Sequence, residues 1–340
     1  MPETALPTYT AKDFTTDQDV RWCPGCGDYA VLTAVRKALP GLGHRKEDFV
    51  FVSGIGCAAR FPYYVNTYGM HSIHGRAPAF ATGLKLANPE LEVWLVSGDG
   101  DLLSIGGNHT VHVFRRNVDI NIILLNNRIY GLTKGQYSPT SEFGKKTKST
   151  PVGSIDYPLN PLSLAVGCGC TFIARCIDVD VKHLESIMVE AATHKGTTFI
   201  EVYQDCNIFN HAAWFYATQK DSKADTTFVL EHGKPMIFGA EQNKGLRWNG
   251  GNLEVCELGN GVTEDDLVRH DETDRNLAFV LSQLQHPQFP EPMGIIYREQ
   301  THESYDRLVW NQYQDAVKKR GEGTLAALLD EGETWVVDEE

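Results

Sequence analysis

Two sets of residues in this 340-residue chain have the types and spacing that chemistry requires. The first is Gly98-Asp99-Gly100-Asp101, followed further along by Asn126-Asn127. Glycine lets a backbone approach a diphosphate, and Asp99 is a hard oxygen ligand. The amide oxygen of Asn127 suits Mg²⁺, which takes octahedral oxygen donors and shares phosphate oxygens. A Gly-Asp-Gly on its own is better explained by a strand-to-helix turn. Both pieces close an apolar run, and that pairing makes a phosphate-and-metal site the better reading. The second set is Cys23-Pro24-Gly25-Cys26 with Cys57. Four thiolates hold an iron–sulfur cluster or a tetrahedral zinc, and C-x-x-C supplies two of them from one turn. Cys206 is the favoured fourth, because it ends an apolar run as Cys57 does. Cys168, Cys170, Cys176 and Cys256 read as small buried hydrophobes. For the Cys23-Cys26 pair taken alone, zinc and iron–sulfur both stay open.

Elements must carry these residues. Short β-rich runs at 49–57, 92–100, 120–127 and 199–206 each end in Gly, Asp, Asn or Cys. Helical spacing marks 27–39, 76–87, 104–116 and 181–195, the last with Asp180 as N-cap and Gly196 as the C′ residue. Buried strands alternating with helices predict an α/β fold on a doubly wound, mostly parallel sheet with helices on both faces. Ligands of such sheets sit beyond the carboxyl ends of the strands, so these chemically equipped ends are expected to meet. Residues 132–166 hold Ser, Thr, Pro, Gly and Lys with little periodicity and read as a functional loop. Beyond about residue 210 the pattern weakens; helices are expected at 265–285 and 302–319, and the final residues read as an arm.

Composition narrows the function. Hydrophobic residues make up 42% and charged residues 22%, a globular balance, and no apolar run is long enough to cross a bilayer. A net charge of −13 offers no positive footprint for nucleic acid or an anionic membrane. The first residues have neither the basic flank nor the apolar stretch of a secretory leader. A cytoplasmic protein whose 8 cysteines are reduced is therefore expected.

VSGDGDLLSIGGNH and LLNNRIYGLTKGQ together form a thiamine diphosphate signature. With them the chain resembles the β subunits of 2-oxoacid:ferredoxin oxidoreductases, well over residues 20–215 and more weakly beyond. The resemblance implies a thiamine diphosphate-binding fold in which residues 1–215 hold the cofactor and one 4Fe-4S cluster. Residues 216–340 would extend the same core and meet partner subunits. It implies Mg²⁺ on Asp99, Asn127 and the backbone carbonyl of Ile129, with the diphosphate on Gly100, Asp101 and adjoining backbone. Further cofactor contacts would fall on Gly54, Ile55, Gly56, Cys57, Gly98, Gly131, Leu132 and Thr133, and on His74 in HSIHGR. His71 reads equally well as a structural histidine. The implied cluster ligands are Cys23, Cys26, Cys57 and Cys206.

Arg60 and Lys134 match positions where this family places a cation, and a cation suits the distal carboxylate of a dicarboxylic 2-oxoacid. With Leu132 in GLTKGQ, the likeness leans toward the 2-oxoglutarate members. The implied reaction is reversible oxidative decarboxylation of 2-oxoglutarate with CoA to succinyl-CoA and CO₂, with electrons leaving through the cluster to ferredoxin. Lys145, Lys146 and Lys148 form a basic patch that could orient ferredoxin or meet a CoA phosphate. The sequence shows no second thiamine-type domain, and the resemblance implies that the Glu which activates thiamine lies on a partner subunit. An α subunit carrying the pyrimidine-binding domain is thus expected, in an α2β2 assembly. Pyruvate as the substrate, and a zinc-binding interaction protein with no thiamine, are the competing readings.

Overall fold

The computed structural model describes residues 7–335 and residue 337. The reading of residues 1–6 as free of a leader, and residues 336 and 338–340 of the expected arm, lie outside them. The strands are β1 (Phe49–Ser53), β2 (Tyr68–His71), β3 (Glu92–Gly98), β4 (Asn121–Asn126), β5 (Phe172–Ile177), β6 (Thr198–Tyr203), β7 (Thr227–Val229), β8 (Ile237–Phe238), β9 (Lys244–Asn249), β10 (Asn252–Glu257) and β11 (Glu291–Arg298). Eight of them form one sheet in the order β2-β1-β3-β4-β6-β5-β11-β7. Its neighbouring pairs are parallel except β5 with β11.

β1, β4, β5 and β6 are buried along their whole length because helices cover both faces of the sheet. Alternate side chains feed two cores. Val50, Val52, Leu95, Ile122, Leu124 and Phe199 fill one, closed by Ala81 of the helix Ala77–Ala87 and by Val113 and Phe114 of Gly107–Arg116. Phe49, Phe51, Trp94, Val96, Ile123, Leu125 and Val202 fill the other, closed by Val31 and Val35 of Asp28–Ala38 and Leu184 and Met188 of Val181–Thr193. Each large side chain fully buried here contributes about 1.5–3 kcal/mol.

Register aligns the strand ends. Ser53 pairs with Val96, Gly98 with Leu125, Asn126 with Tyr203, and Ile177 with Tyr203. Gly54–Cys57, Asp99–Asp101, Asn127 and Gln204–Cys206 therefore leave the sheet along one edge. β1 has β2 on one side and β3 on the other, so the winding reverses between β1 and β3. Sheets of this kind open their ligand crevice at such a reversal.

Several elements differ from the sequence reading. The helix expected at 104–116 begins earlier, as a π-helical turn at Asp101–Ile105, and becomes α-helical at Gly107. Asp180 is the N-cap as expected, but the helix ends at Thr193 with His194 as C-cap, which puts Gly196 one residue beyond C′. The 132–166 loop contains a helix, Pro161–Gly167, started by Asn160, whose side chain accepts from the Leu162 and Ser163 N–H groups. The helix expected at 265–285 shrinks to Arg275–Ser282, where Asp274 caps it, and the one expected at 302–319 spans Tyr305–Arg320.

Beyond residue 215, β7 and β11 join the main sheet, while β8, β9 and β10 form a separate antiparallel one. Gly250 and Gly251 link β9 to β10 with φ of +57° and +95°, a two-residue hairpin turn that favours glycine. Among the described residues no helix is long and apolar enough to cross a membrane.

Candidate active site

Asp99, just past the end of β3, is 1% exposed. Its Oδ2 accepts from Ser138 Oγ at 2.5 Å and from Thr140 Oγ1 at 2.6 Å. Both hydroxyls come from the 132–166 loop, which thereby closes over this strand end. Thr140 Oγ1 also reaches Asn126 Oδ1 at 3.0 Å, tying Asp99 to the end of β4. Burial pushes the Asp99 carboxyl above its usual range, against the pull of the two hydroxyl donors. A buried carboxylate held only by neutral donors lacks a counter-charge, and a divalent cation supplies one. Next along the edge, Asn127 Nδ2 donates to Gln204 Oε1 at 2.8 Å, and its Oδ1 accepts from the Ile129 N–H at 3.2 Å. The Asp99 carboxylate, the Asn127 amide oxygen and the Ile129 carbonyl would together offer all-oxygen donors of the kind Mg²⁺ takes.

Gly100 and Gly54 are fixed by crowding. A Cβ on Gly100 would lie 2.2 Å from a ring carbon of Tyr130, whose hydroxyl donates to the Gly100 carbonyl at 2.9 Å. Gly98 is less crowded: the nearest atom to such a Cβ is the Leu125 carbonyl oxygen at 4.0 Å, an ordinary van der Waals contact. Asp101 turns inward. Its Oδ1 accepts from the Gly75 N–H at 2.7 Å and pairs with Nδ1 of His74, while Oδ2 accepts from Ser97 Oγ at 2.6 Å. A Cβ on Gly54 would strike Asp101 Oδ2 at 1.8 Å. The Asp101 side chain is thus committed to His74 and the β1 and β3 ends, leaving its backbone for a phosphate. As an acceptor it requires Nδ1–H on His74, which in the neutral ring leaves the lone pair on Nε2. The His74 side chain is 43% exposed. His71 lies apart, exposed on β2 against the Tyr63 ring.

The cysteines gather at the same edge. Within the C-x-x-C turn the Cys26 N–H donates to the Cys23 carbonyl at 3.0 Å, and Gly25 adopts φ of +83°. Asn207 Nδ2 donates to the Pro24 carbonyl at 2.6 Å, fastening this turn to the segment after Cys206. Gln204, which holds Asn127, also places Nε2 3.3 Å from Cys26 Sγ. Trp22 Nε1 donates to the Cys57 carbonyl at 2.8 Å. A Cβ on Gly131 would lie 3.3 Å from Cys206 Sγ and 3.9 Å from Cys57 Sγ.

All eight cysteines are free thiols, Cys23 exposed and Cys26, Cys57 and Cys206 half-buried. Burial drives the Cys26 thiol far above its ordinary range and pushes Cys57 up to about 12, with Asp28 and neighbouring thiols adding to both. Burial raises Cys206 as well. Thiolates here need a positive partner. Among the described residues no three His, Cys, Asp or Glu side chains are gathered closely enough to hold one metal ion, so the four thiols are neighbours without closing a single-ion site. Cys170 and Cys176 are buried in the two cores and Cys168 packs at the edge of one, as small hydrophobes.

The two expected cations part ways. Arg60 Nη1 donates to the Arg21 carbonyl at 2.6 Å, in an outer groove with Asp17, Asp19 and Tyr63. Lys134 sits exposed at φ +75° in the Gly131–Gly135 turn that touches the thiols; its backbone N–H donates to the Gly131 carbonyl at 3.0 Å, while its side chain makes no hydrogen bond or ion pair among the described residues. In that turn Leu132 is 46% exposed and Thr133 bonds Gln136. Gly56, at φ +123°, turns the chain after β1, with Ile55 half-buried before it. Lys145 bonds Asn210, while Lys146 and Lys148 are exposed.

Sequence reasoning missed Ser138, Thr140, Tyr130 and Gln204. The hydroxyl-rich SPTS after GLTKGQY is a visible signal for the first two; nothing local marks Gln204. It also missed Asp28, buried beneath Cys26 beside Asp178, where burial pushes the two carboxyls up to about 7 and about 6.

With this geometry in place, similarity identifies the frame. Residues 54–202 match the thiamine pyrophosphate enzyme family, C-terminal TPP binding domain. The chain is 49% identical over 342 aligned residues to 2-oxoglutarate oxidoreductase subunit KorB of Mycobacterium tuberculosis, spanning 99% of this chain and 91% of that one. It is 49% identical over 197 residues to subunit beta of 2-oxoacid:ferredoxin oxidoreductase 1 of Aeropyrum pernix, covering 57% of this chain and 62% of that one. Among solved structures, a chain of the 2-oxoglutarate:ferredoxin oxidoreductase of Magnetococcus marinus, with 2-oxoglutarate, coenzyme A and succinyl-CoA bound, superposes with a TM-score of 0.76 at 30% identity, covering 96% of each chain. The strand ends that gather Asp99, Asn127 and the thiols lie in the matched region or border it, and the chain belongs to the KorB family of 2-oxoglutarate oxidoreductase subunits.

Proposed function

We propose that the chain is the thiamine diphosphate-, Mg²⁺- and 4Fe-4S-binding β subunit of a 2-oxoglutarate:ferredoxin oxidoreductase, converting 2-oxoglutarate and CoA to succinyl-CoA and CO₂. One observation carries this reading: the turn starting at Gly131, two residues past the Ile129 carbonyl, lies against the sulfurs of Cys206 and Cys57. A phosphate-and-metal edge and a group of thiols share one stretch of backbone, as a redox thiamine enzyme needs.

Bound thiamine diphosphate supplies the carbon nucleophile and electron sink for decarboxylation, and an iron–sulfur cluster supplies one-electron steps. The chain's residues do the rest. Asp99, Asn127 and the Ile129 carbonyl hold Mg²⁺, and the backbone of Gly98, Gly100 and Asp101 receives the diphosphate. Gly54, Ile55, Gly56, Cys57 and the 131–133 backbone line the remainder, with His74 Nε2 as an acceptor at its mouth. Cys23, Cys26, Cys57 and Cys206 hold the cluster. Lys134 is the first candidate for the distal carboxylate of the substrate, Arg60 the second. An α subunit brings the pyrimidine-binding domain and its Glu, in a cytoplasmic α2β2 assembly that reduces ferredoxin, so the isolated chain is expected to be inactive.

Iron, zinc and acid-labile sulfide per chain in complex purified without oxygen test the reading. About four irons with matching sulfide support it. One zinc and no sulfide would return the cysteines to a structural role and leave the electrons without a carrier.

A further inference from the structure

We infer that Trp214 is the positioning residue of the metal-binding turn, acting through Arg128; this rests on the reading of Asn127 and Ile129 as metal donors. Arg128 stands between those two residues with φ of +56°, in the left-handed region where a side chain is strained. Glycine would sit there without cost, so the arginine side chain must be held. Its guanidinium lies 3.6 Å over the Trp214 ring, and Nη1 pairs with Glu142 at 3.2 Å. Trp214 is 3% exposed, and its indole N–H donates to the Asn126 carbonyl at 2.8 Å. Trp214 also stacks on Tyr203, with centroids 3.5 Å apart and planes 8° apart, which requires the face opposite Arg128. The Tyr203 hydroxyl donates to Glu291 Oε2 at 2.5 Å, at the start of β11. Glu291 Oε1 in turn accepts from the Tyr216 hydroxyl at 2.9 Å and the His286 N–H at 3.1 Å.

A buried column thus runs from Glu291 through Tyr203 and Trp214 to Arg128. A second line arrives from β5, where Arg175 pairs with Glu201 at 2.8 Å and Glu201 Oε1 accepts from Asn126 Nδ2 at 2.7 Å. Arg175 also lies 4.9 Å over the Tyr203 ring, which braces the two lines against each other. Both end on the residues flanking Asn127, and their contacts occupy neither the Asn127 amide oxygen nor the Ile129 carbonyl. Support of this kind sets donor orientation while leaving donor lone pairs free. It also gives the region beyond residue 215 a part in the site: Glu291 anchors the far end of the column.

The test measures Mg²⁺ binding by titration calorimetry, at saturating thiamine diphosphate, on α–β complex first stripped of both, with cluster iron counted in the same samples. Trp214→Leu is expected to weaken Mg²⁺ binding ~10–100-fold, the range for lost support behind metal ligands, with iron content unchanged. Trp214→Phe, which keeps a face for each stack, is expected to recover most of the affinity. Arg128→Lys keeps the charge and loses the plane, and is expected to weaken binding in the same direction by less. Wild-type Mg²⁺ affinity in Trp214→Leu overturns the inference; where that variant fails to assemble, wild-type affinity in Arg128→Lys does so. A wild-type complex that takes up no Mg²⁺ overturns the functional reading itself, and so the two failures are distinct.

Discussion

Gly131 lies against the sulfur of Cys206: a Cβ there would sit 3.3 Å from that Sγ and 3.9 Å from the Sγ of Cys57. The turn that follows the proposed metal donors is therefore also a wall of the thiol group. Gly131→Val adds branched bulk where even a methyl is tight, and must displace Cys206, Cys57 or the turn. We expect it to lower iron and sulfide per chain sharply, with Gly131→Ala in between. Undiminished iron and visible absorbance in Gly131→Val would mean that the cluster is not built on these thiols.

The contact between Gly100 and Tyr130 makes a second test, because the clash has one named partner. A Cβ on Gly100 lands 2.2 Å from the Tyr130 ring. Gly100→Ala is expected to destabilise by about 1–3 kcal/mol through overpacking and to weaken thiamine diphosphate binding. Trimming the ring in the double variant Gly100→Ala/Tyr130→Leu should restore part of the loss, with a coupling of about 0.5–3 kcal/mol between the two sites. Strict additivity in thermal unfolding would show that the two residues do not press on each other.

Much of this arrangement was legible because buried parallel strands write themselves plainly. FVFVS, NIILLN and TFIEVY have little polar alternation, each stops at residues suited to chemistry, and Asp180 marks the helix start it caps. What stayed hidden depends on partners far apart in the chain. Ser138 finds Asp99 across 39 positions, and Trp214 finds Asn126 across 88, with no local pattern to announce either pairing. In β5 the charge of Arg175 interrupts the apolar run FIARCI, and it is tolerated because Glu201 lies beside it on β6. The β9–β10 hairpin is a different case, since Asn249-Gly250-Gly251-Asn252 is a local turn signal that the weak pattern around it obscured.

At the opposite edge of the sheet, Glu92 provides a pH test independent of the cofactor. It is 5% exposed at the start of β3, its Oε1 accepts from Asn121 Nδ2 at 2.8 Å, and burial pushes its carboxyl up to about 7 from an ordinary 4.5. Below the ordinary value both folded and unfolded chains carry the proton. Between the two values the unfolded chain ionises while the folded one stays neutral, so stability is lost as pH rises toward about 7. Glu92→Gln keeps the acceptor oxygen and removes the titration. Its melting temperature should gain on wild type from pH 5 to pH 8, by up to about 3 kcal/mol of stability. A pH-independent difference between the two proteins would place the Glu92 carboxyl near its ordinary value.

The proposed partner of a distal substrate carboxylate is Lys134, the exposed cation of the turn beside the thiols, ahead of Arg60, whose guanidinium is engaged by the Arg21 carbonyl at 2.6 Å. A distal carboxylate is present in 2-oxoglutarate and absent from pyruvate, so a residue that pairs with it should discriminate between the two. Charge-assisted hydrogen bonds are worth about 1.5–3 kcal/mol, or roughly 10–100-fold. We expect Lys134→Gln to lower kcat/KM for 2-oxoglutarate within that range while changing pyruvate little, and Arg60→Gln to show a smaller effect of the same sign. Arg60→Gln as the larger effect would move the carboxylate to the other side of the Cys57 turn. Equal losses on both acids in both variants would remove these cations from substrate recognition and leave the distal carboxylate to the α subunit.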